Sequence, residues 1–391
     1  MEIPLPDKEP LLSFLQDIIR IPSPSTKERE VVERVAEEMK RVGFPEVFID
    51  EVGNVVGRIG SGGGKRLLYD AHTDTVGIGD PAAWSRDPYR AEIEEGVLYG
   101  RGAADNKGAL AAMIYGAKCL IDAGLDLTGD LYVVGSVQEE ECEGYAIGLL
   151  CRKLMPHAVL LGEPTDLQIS RGQRGRIMLV VTTHGRSCHG SAPEQGVNAI
   201  YAMNKVAAGV EALNSKLAQH PFLGPGSVAV TRIESSAANL NAIPDRCQAH
   251  LDRRLIWGED EELALTQVRE IIQEEGVEAE VETMVYEARS HTGHPCRQKQ
   301  YFPPWLLEEE DPLVQMGGRT VKEVLGYEPQ IIGWRFSTDG VATKGELGIP
   351  TIGFGPGEEA QAHSPDEHIP VADVLKAARV YAQLALDFLS R

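Results

Sequence analysis

At 391 residues, with 42% hydrophobic and 25% charged residues, the chain has the composition of a folded globular protein and enough length for two domains. A formal charge of −21 argues against a nucleic-acid partner, which recruits Lys and Arg, and suits an anionic membrane poorly; its plain meaning is solubility. Six cysteines (Cys119, Cys142, Cys151, Cys188, Cys247, Cys296) form no CxxC pair. MEIPLPDKEP lacks the marks of a secretory signal, and no run approaches the roughly 18 apolar residues of a membrane span, so reduced thiols and a cytoplasmic location are expected.

From Glu9 to Val42 apolar residues recur at helical spacing: Leu11, Leu12, Phe14, Leu15, Ile18 and Ile19, then Val31, Val32, Val35 and Met39. IPSPST divides this stretch into two helices and offers caps for the second. VFIDEVGNVVGRIG and RLLYDAHTD follow as two β-like runs, and SGGGK between them reads as a hairpin turn. A helix from about Lys107 to Ala123, strand LYVVGSVQ, a helix after Gly144 and strand HAVLLGE continue the alternation. This predicts an α/β fold with a mixed, mostly parallel sheet covered on both faces.

From Arg176 the pattern changes. Strand RIMLVVTTHG, a helix from Asn198 to Leu217, strands SVAVTRIESS and RCQAHLDRRLI, a helix from Glu262 to Glu274 and strand VEAEVETMVYE make one βαββαβ unit of about 110 residues, a ferredoxin-like sandwich. After YFPPW the first pattern resumes through PTIGFGPG. The expected organisation is a catalytic domain in two parts, 1–176 and 289–391, with a lid or dimerisation domain, 177–288, inserted between them.

Acidic and histidine residues stand where apolar runs end: His72 and Asp74 in LLYDAHTD, Glu139 and Glu140 in VVGSVQEE, and Glu163 in VLLGEP. Asp105 in GRGAADNKG and His363 in GEEAQAHSP lie in loops. Strand ends of an open α/β sheet are where ligands collect, and this donor set suits hard divalent cations. His72 and Asp74, two residues apart on a strand, share a face, so the carboxylate can orient a ligating imidazole. Singly each has a bland reading: Asp105 as a helix cap, the glutamates as a solvated acidic loop, His363 as a satisfied loop histidine. Adjacent strand residues face opposite ways, which would let one glutamate ligate while the other serves as base. Together they predict a two-metal hydrolase.

HTD, GRGxxDxKG, a paired EE after a strand, GEPT and a late GPG…H resemble the family of aminoacylase, acetylornithine deacetylase, succinyl-diaminopimelate desuccinylase and carboxypeptidase G, from about Leu11 to the C-terminus. The resemblance implies two zinc ions bridged by Asp105, with His72 and Glu163 completing one site and Glu140 and His363 the other. It implies Glu139 as general base and Asp74 as partner of His72; a one-residue slip in QEEE would move base and ligand to Glu140 and Glu141. Asn106 and Gln138 depart from the family's frequent Met and Asp. In the inserted unit, HGSAPEQGVNAI implies that His189 reaches across a homodimer interface to the reacting carbonyl. Asn241 and Arg254 match positions that recognise a substrate carboxylate, with Arg174 a further candidate; an Arg fork suits a carboxylate, while a surface ion pair is the alternative for Arg254.

The expected reaction is hydrolysis of an amide in an N-acyl amino acid or short peptide, by a water shared between metals and deprotonated by Glu139. Co2+ or Mn2+ would suit the same ligands. A dipeptidase or carbamoyl-amide hydrolase on the same fold, and a non-catalytic binding relative, are the alternatives. WRFSTDG and QEEE resemble an uncharacterised branch of hydrolases linked to selenium metabolism.

Overall fold

The computed structural model describes residues 3–390 apart from 126 and 238. Two amphipathic helices, α1 (Lys8–Arg20) and α2 (Arg29–Arg41), bury the apolar stripe read from the sequence, with Leu11, Leu15, Ile18, Val31, Val35 and Met39 fully enclosed. The chain then enters a nine-stranded sheet. Its members are β1 (Glu46–Ile49), β2 (Val55–Gly60), β3 (Arg66–His72), β4 (Asp130–Ser136), β5 (Ala158–Leu161), β6 (Ile169–Gln173), β13 (Ile331–Trp334), β14 (Thr351–Gly353) and a short pair, Trp305–Leu306.

The spatial order is β1-β2-β4-β3-β5-β14-β6, with β13 alongside β6. β3 is parallel to both β4 and β5, and β14 is parallel to β5. The outer β1–β2 and β2–β4 pairs are antiparallel. Alternate residues feed the cores on the two faces. Leu67, Tyr69, Val133 and Leu160 join the core beneath α1, α2, α3 (Gly108–Asp122), α8 (Pro312–Leu325) and α9 (Val371–Leu389); Leu68, Val134, Val159 and Leu161 join one containing Trp305, Trp334 and α5 (Tyr145–Leu154). α3 and α9 cross so closely that a Cβ on Gly116 would lie 2.7 Å from the Ala378 carbonyl oxygen.

The SGGGK hairpin expected between β2 and β3 is not formed. β4 lies between them, so the glycines carry the chain to a different position in the sheet. β3 is apolar on both faces and demands two parallel neighbours, which a hairpin partner cannot supply.

A second, antiparallel sheet has the order β8-β9-β7-β10, from β7 (Gly175–His184), β8 (Ser227–Ser235), β9 (Arg246–Leu255) and β10 (Ala279–Thr283), with Tyr301–Phe302 added beside the start of β7. Helices α6 (Ala199–Leu213) and α7 (Glu261–Glu274) cover one face. This is the ferredoxin-like order of a βαββαβ unit. Along β9, Cys247, Ala249, Leu251 and Leu255 are buried, while Gln248, His250, Asp252 and Arg254 lie on the uncovered face. The run VEAEVETMVYE is not one strand: it divides at Met284 into β10 and β11 (Val285–Arg289), and β11 pairs with β12 (Pro295–Lys299) as a hairpin. Among the described residues no helix is long and apolar enough to cross a membrane.

Glu28, at the N-terminus of α2, is fully buried; one carboxylate oxygen accepts the Thr26 and Gln138 N–H groups and the other has no partner. Burial, reinforced by the charge of Asp74, lifts its carboxyl from 4.5 to about 8. The folded state therefore holds this proton more tightly than the unfolded chain, and stability is lost as pH rises from the ordinary glutamate range to about 8. Glu28→Gln keeps an oxygen for both N–H groups and removes the charge. Its Tm is expected to exceed the parent's by about 2–4 °C at pH 9 and to match it at pH 4; thermal unfolding at the two pH values checks this.

Candidate metal centre

Four strands deliver the site. β3 ends on His72, β4 leads through Val137 and Gln138 to Glu139, β5 leads to Glu163, and β14 feeds the GPG loop that carries His363. All four run parallel to one another, so these residues emerge at one sheet edge. Asp105 arrives from the Gly-rich loop before α3 and is joined to Asn106 by a cis peptide bond.

Asp105 stands between the two histidines. Its Oδ1 lies 2.9 Å from His72 Nε2 and its Oδ2 lies 3.4 Å from His363 Nε2. His72 Nε2 is 3.7 Å from Glu163 Oε1 and 4.0 Å from Glu139 Oε2; His363 Nε2 is 2.9 Å from Glu140 Oε2. Donor atoms of His72, Asp105 and Glu140 all fall within 4.8 Å of one another, a spacing that suits a shared cation.

The electrostatics match that geometry. Burial and neighbouring carboxylates hold Glu139, Glu140 and Glu163 above the usual carboxylate range, against the pull of the histidines. Burial opposes charge on His72, but hydrogen bonding to Asp105 and the nearby glutamates drive it well upward. Hydrogen bonds to Asp105 and Glu140 push His363 to about 10. Asp105 is drawn down, because the two imidazoles outweigh its burial. Such a cluster of buried acids around two imidazoles is the electrostatic counterpart of a divalent-cation site.

The profile of the peptidase family M20/M25/M40 matches residues 68–387. The chain belongs to this family. As a member it is a metal-dependent amidohydrolase. It is 40% identical over 379 residues to the uncharacterised protein YgeY of Escherichia coli K12, covering 96% of this chain and 94% of that one. It is 31% identical to an acetylornithine deacetylase of Vibrio parahaemolyticus over 90% of this chain and 91% of the relative. The M20 metallo-carboxypeptidase Sso-CP2 of Sulfolobus solfataricus shares the fold with a TM-score of 0.78 at 19% identity, covering 97% and 99% of the two chains.

In this M20-family chain Asp74 touches His72 differently from the sequence expectation. His72 Nδ1 lies 2.8 Å from the Asp74 main-chain oxygen, while the carboxylate is 3.7 Å away. The carboxylate oxygens are engaged instead by the Ser25 hydroxyl at 2.6 Å and the N–H groups of Glu139 at 3.1 Å and Glu140 at 3.2 Å. Glu139 and Glu140 are not strand neighbours with opposed faces either. Gln138 adopts a left-handed backbone (φ 59°), and the glutamates open a short helix, α4 (Glu139–Cys142).

Asn106, a departure from the family pattern, donates to Glu163 Oε1 at 2.9 Å and so orients it. The residue that sequence reasoning missed is Glu367. It is fully buried and accepts from Arg101 Nη1 (2.7 Å) and from the N–H groups of Gly102 (3.0 Å), Ala104 (2.9 Å) and Asp105 (3.0 Å), gripping the loop that presents Asp105. Its only sequence signal is its place four residues after His363.

A cavity of about 240 Å3 opens over the cluster, lined by Asp105, Glu139, Glu140, Glu163 and His363 together with Arg176 and Arg254 from the antiparallel sheet. Arg254 reaches it while engaging Asp252 through Nε (2.7 Å) and Nη2 (3.0 Å), so it is both ion-paired and pocket-lining. Arg174 does not line the cavity; it donates to the main-chain oxygens of Arg335 and Pro225. His189 and Asn241 are exposed on adjoining segments, with the Cys188–His189 pair laddered to Ala242–Ile243, and they do not line the cavity of their own chain.

Below pH 10 His363 carries a proton that an incoming cation must displace. Zinc titrated calorimetrically into metal-stripped protein is therefore expected to release protons, with affinity rising about tenfold per pH unit for each proton displaced. Equal heats in buffers of different ionisation enthalpy would refute this. Asp105→Ala, which removes the oxygens facing both histidines, is expected to abolish cation uptake by the cluster.

Proposed function

We propose that the chain is a two-zinc amidohydrolase that cleaves N-acyl amino acids or short peptides. The observation that carries the reading is the placement of Asp105, whose two oxygens face different histidines. Asp105 would be shared between the ions, His72 and Glu163 would complete one set and Glu140 and His363 the other; Co2+ or Mn2+ would fit the same donors. Metals held there supply Lewis acidity, bringing the pKa of water towards neutrality and polarising the scissile carbonyl.

Glu139 is the general base. It is buried, borders the cavity and is fixed through its own N–H to Asp74. Its carboxylate takes the proton of the attacking water and returns it to the leaving amine. Arg254, on the uncovered face of the antiparallel sheet, binds the carboxylate of the substrate, with Asn241 of a second copy of the chain as a further contact. His189 stabilises the developing oxyanion from a second copy of the chain, which accounts for its exposure away from its own cavity. On this reading 177–288 acts as lid and homodimer interface. A cytoplasmic location agrees with six free cysteines.

The test is hydrolysis of a panel of N-acyl amino acids and dipeptides by metal-stripped and zinc-restored protein. Activity is expected to return with zinc and to favour one acyl or side-chain class. Glu139→Gln is expected to lower turnover by about 10²–10⁴-fold while metal content stays near two per chain; wild-type turnover would remove Glu139 from the base role. Mixing inactive Glu139→Ala and His189→Ala proteins and letting subunits exchange is expected to restore about a quarter of wild-type sites, because one site of each mixed dimer is intact. No recovery would place His189 outside the neighbouring site.

A further inference from the structure

The residues flanking Glu139 and Glu140 have no part in the proposed chemistry, yet they converge on one hydroxyl. Tyr286 Oη accepts from Gln138 Nε2 at 3.2 Å and donates to Glu141 Oε2 at 2.9 Å. One contact therefore lies one residue before the proposed base and the other lies one residue after its neighbour. Gln138 is fully buried in a left-handed conformation that a non-glycine residue adopts only when its surroundings enforce it. The enforcement is visible: its N–H donates to Glu28, its side-chain oxygen accepts from Cys296 Sγ at 2.9 Å, and its side-chain nitrogen reaches Tyr286.

Tyr286 and Cys296 belong to the β11–β12 hairpin, which leaves the antiparallel sheet directly after β10 and extends over α4. At its base Gln300 Nε2 donates to the Glu141 carbonyl and Gln298 Nε2 to the Glu143 carbonyl, each at 3.2 Å. At its tip Thr292 donates to the Glu51 carbonyl oxygen at 2.7 Å. One arm of the hairpin thus continues from the inserted sheet and holds the segment bearing Glu139.

The geometry points to Tyr286 as a positioning residue: with Gln138 and Glu141 it clamps the turn that aims Glu139 into the cavity and ties that aim to the inserted sheet. Glu141 is then neither metal ligand nor base but the outer jaw of the clamp. The catalytic half of the inference rests on Glu139 being the base; the structural half does not.

Tyr286→Phe removes the hydroxyl and keeps the ring. With zinc-loaded protein and the best amide of the panel, kcat is expected to fall about five- to tenfold, with KM within twofold, Tm unchanged and two metals retained. Gln138→Leu is expected to lower kcat similarly, and the double variant no further, because both break one network. Tyr145→Phe is the control, since its hydroxyl bonds the same hairpin at the Pro295 carbonyl, away from the turn; it is expected to leave kcat unchanged. Amide hydrogen exchange over residues 138–143 is expected to accelerate in Tyr286→Phe and not in Tyr145→Phe, whatever the role of Glu139. Unchanged exchange in Tyr286→Phe would overturn the clamp. Faster exchange with wild-type kcat would overturn its catalytic role, and an equal kcat loss in Tyr145→Phe would assign the effect to hairpin docking in general.

Discussion

The structure depends on tolerating four carboxylates packed against two imidazoles at one sheet edge, His72 buried among them and His363 on the exposed rim. Glu139, Glu140 and Glu163 resist ionisation because each is desolvated beside other acids, while both histidines are driven towards protonation, first by hydrogen bonding to Asp105 and then by nearby glutamates. A buried like-charged cluster costs several kcal/mol unless cations compensate it, and two imidazoliums compensate only part. The sheet beneath offsets that cost. β3, β4 and β5 are almost wholly enclosed between two apolar layers, so their ends hold side chains that would otherwise repel one another apart.

Rigid strands alone do not aim the donors. Asp74 accepts the N–H groups of Glu139 and Glu140, and Glu367 accepts those of Gly102, Ala104 and Asp105. Asp105, Glu139 and Glu140 are thus held by their backbone N–H groups, which leaves their carboxylates free to face the cavity. Hydrogen bonds to charged acceptors contribute about 1.5–3 kcal/mol each, enough for a few of them to fix a loop that lacks regular structure. Asn106 holds Glu163 differently, by donating to its carboxylate oxygen Oε1. The result is two tiers of acids, one presented to the cavity and one turned inward to hold the first.

This division explains what could be read in the sequence. His72, Glu139 and Glu163 follow apolar runs, and a polar residue ending a buried strand is conspicuous. Asp105 and His363 became legible only with their companions, because each alone resembles an ordinary loop residue. Glu367 had no such mark: HSPDEHIP looks like any solvated polar loop, and its burial arises from the fold of a loop more than 260 residues away in the chain. The SGGGK hairpin failed because turn chemistry is local, whereas strand order is set by which strands need two covered faces. The strand geometry assumed for Glu139 and Glu140 failed at Gln138, whose left-handed backbone is imposed by Glu28 and the β11–β12 hairpin and is therefore invisible locally.

The antiparallel sheet brings a different kind of charge to the cavity. Asp252 stands between two guanidinium groups, paired closely with Arg254 and 3.7 Å from Arg176, which is itself 2.5 Å from Glu143. This face of the antiparallel sheet is already neutralised within the chain. Under the proposed function, a substrate carboxylate arriving at Arg254 would exchange partners rather than satisfy a bare cation, and such an exchange contributes little net affinity. Arg254 would then supply orientation more than attraction, holding the carboxylate at a fixed distance from the acidic cluster. Selection among amides would fall to the side of the cavity bordered by Phe336 and Ser337, where contacts depend on shape.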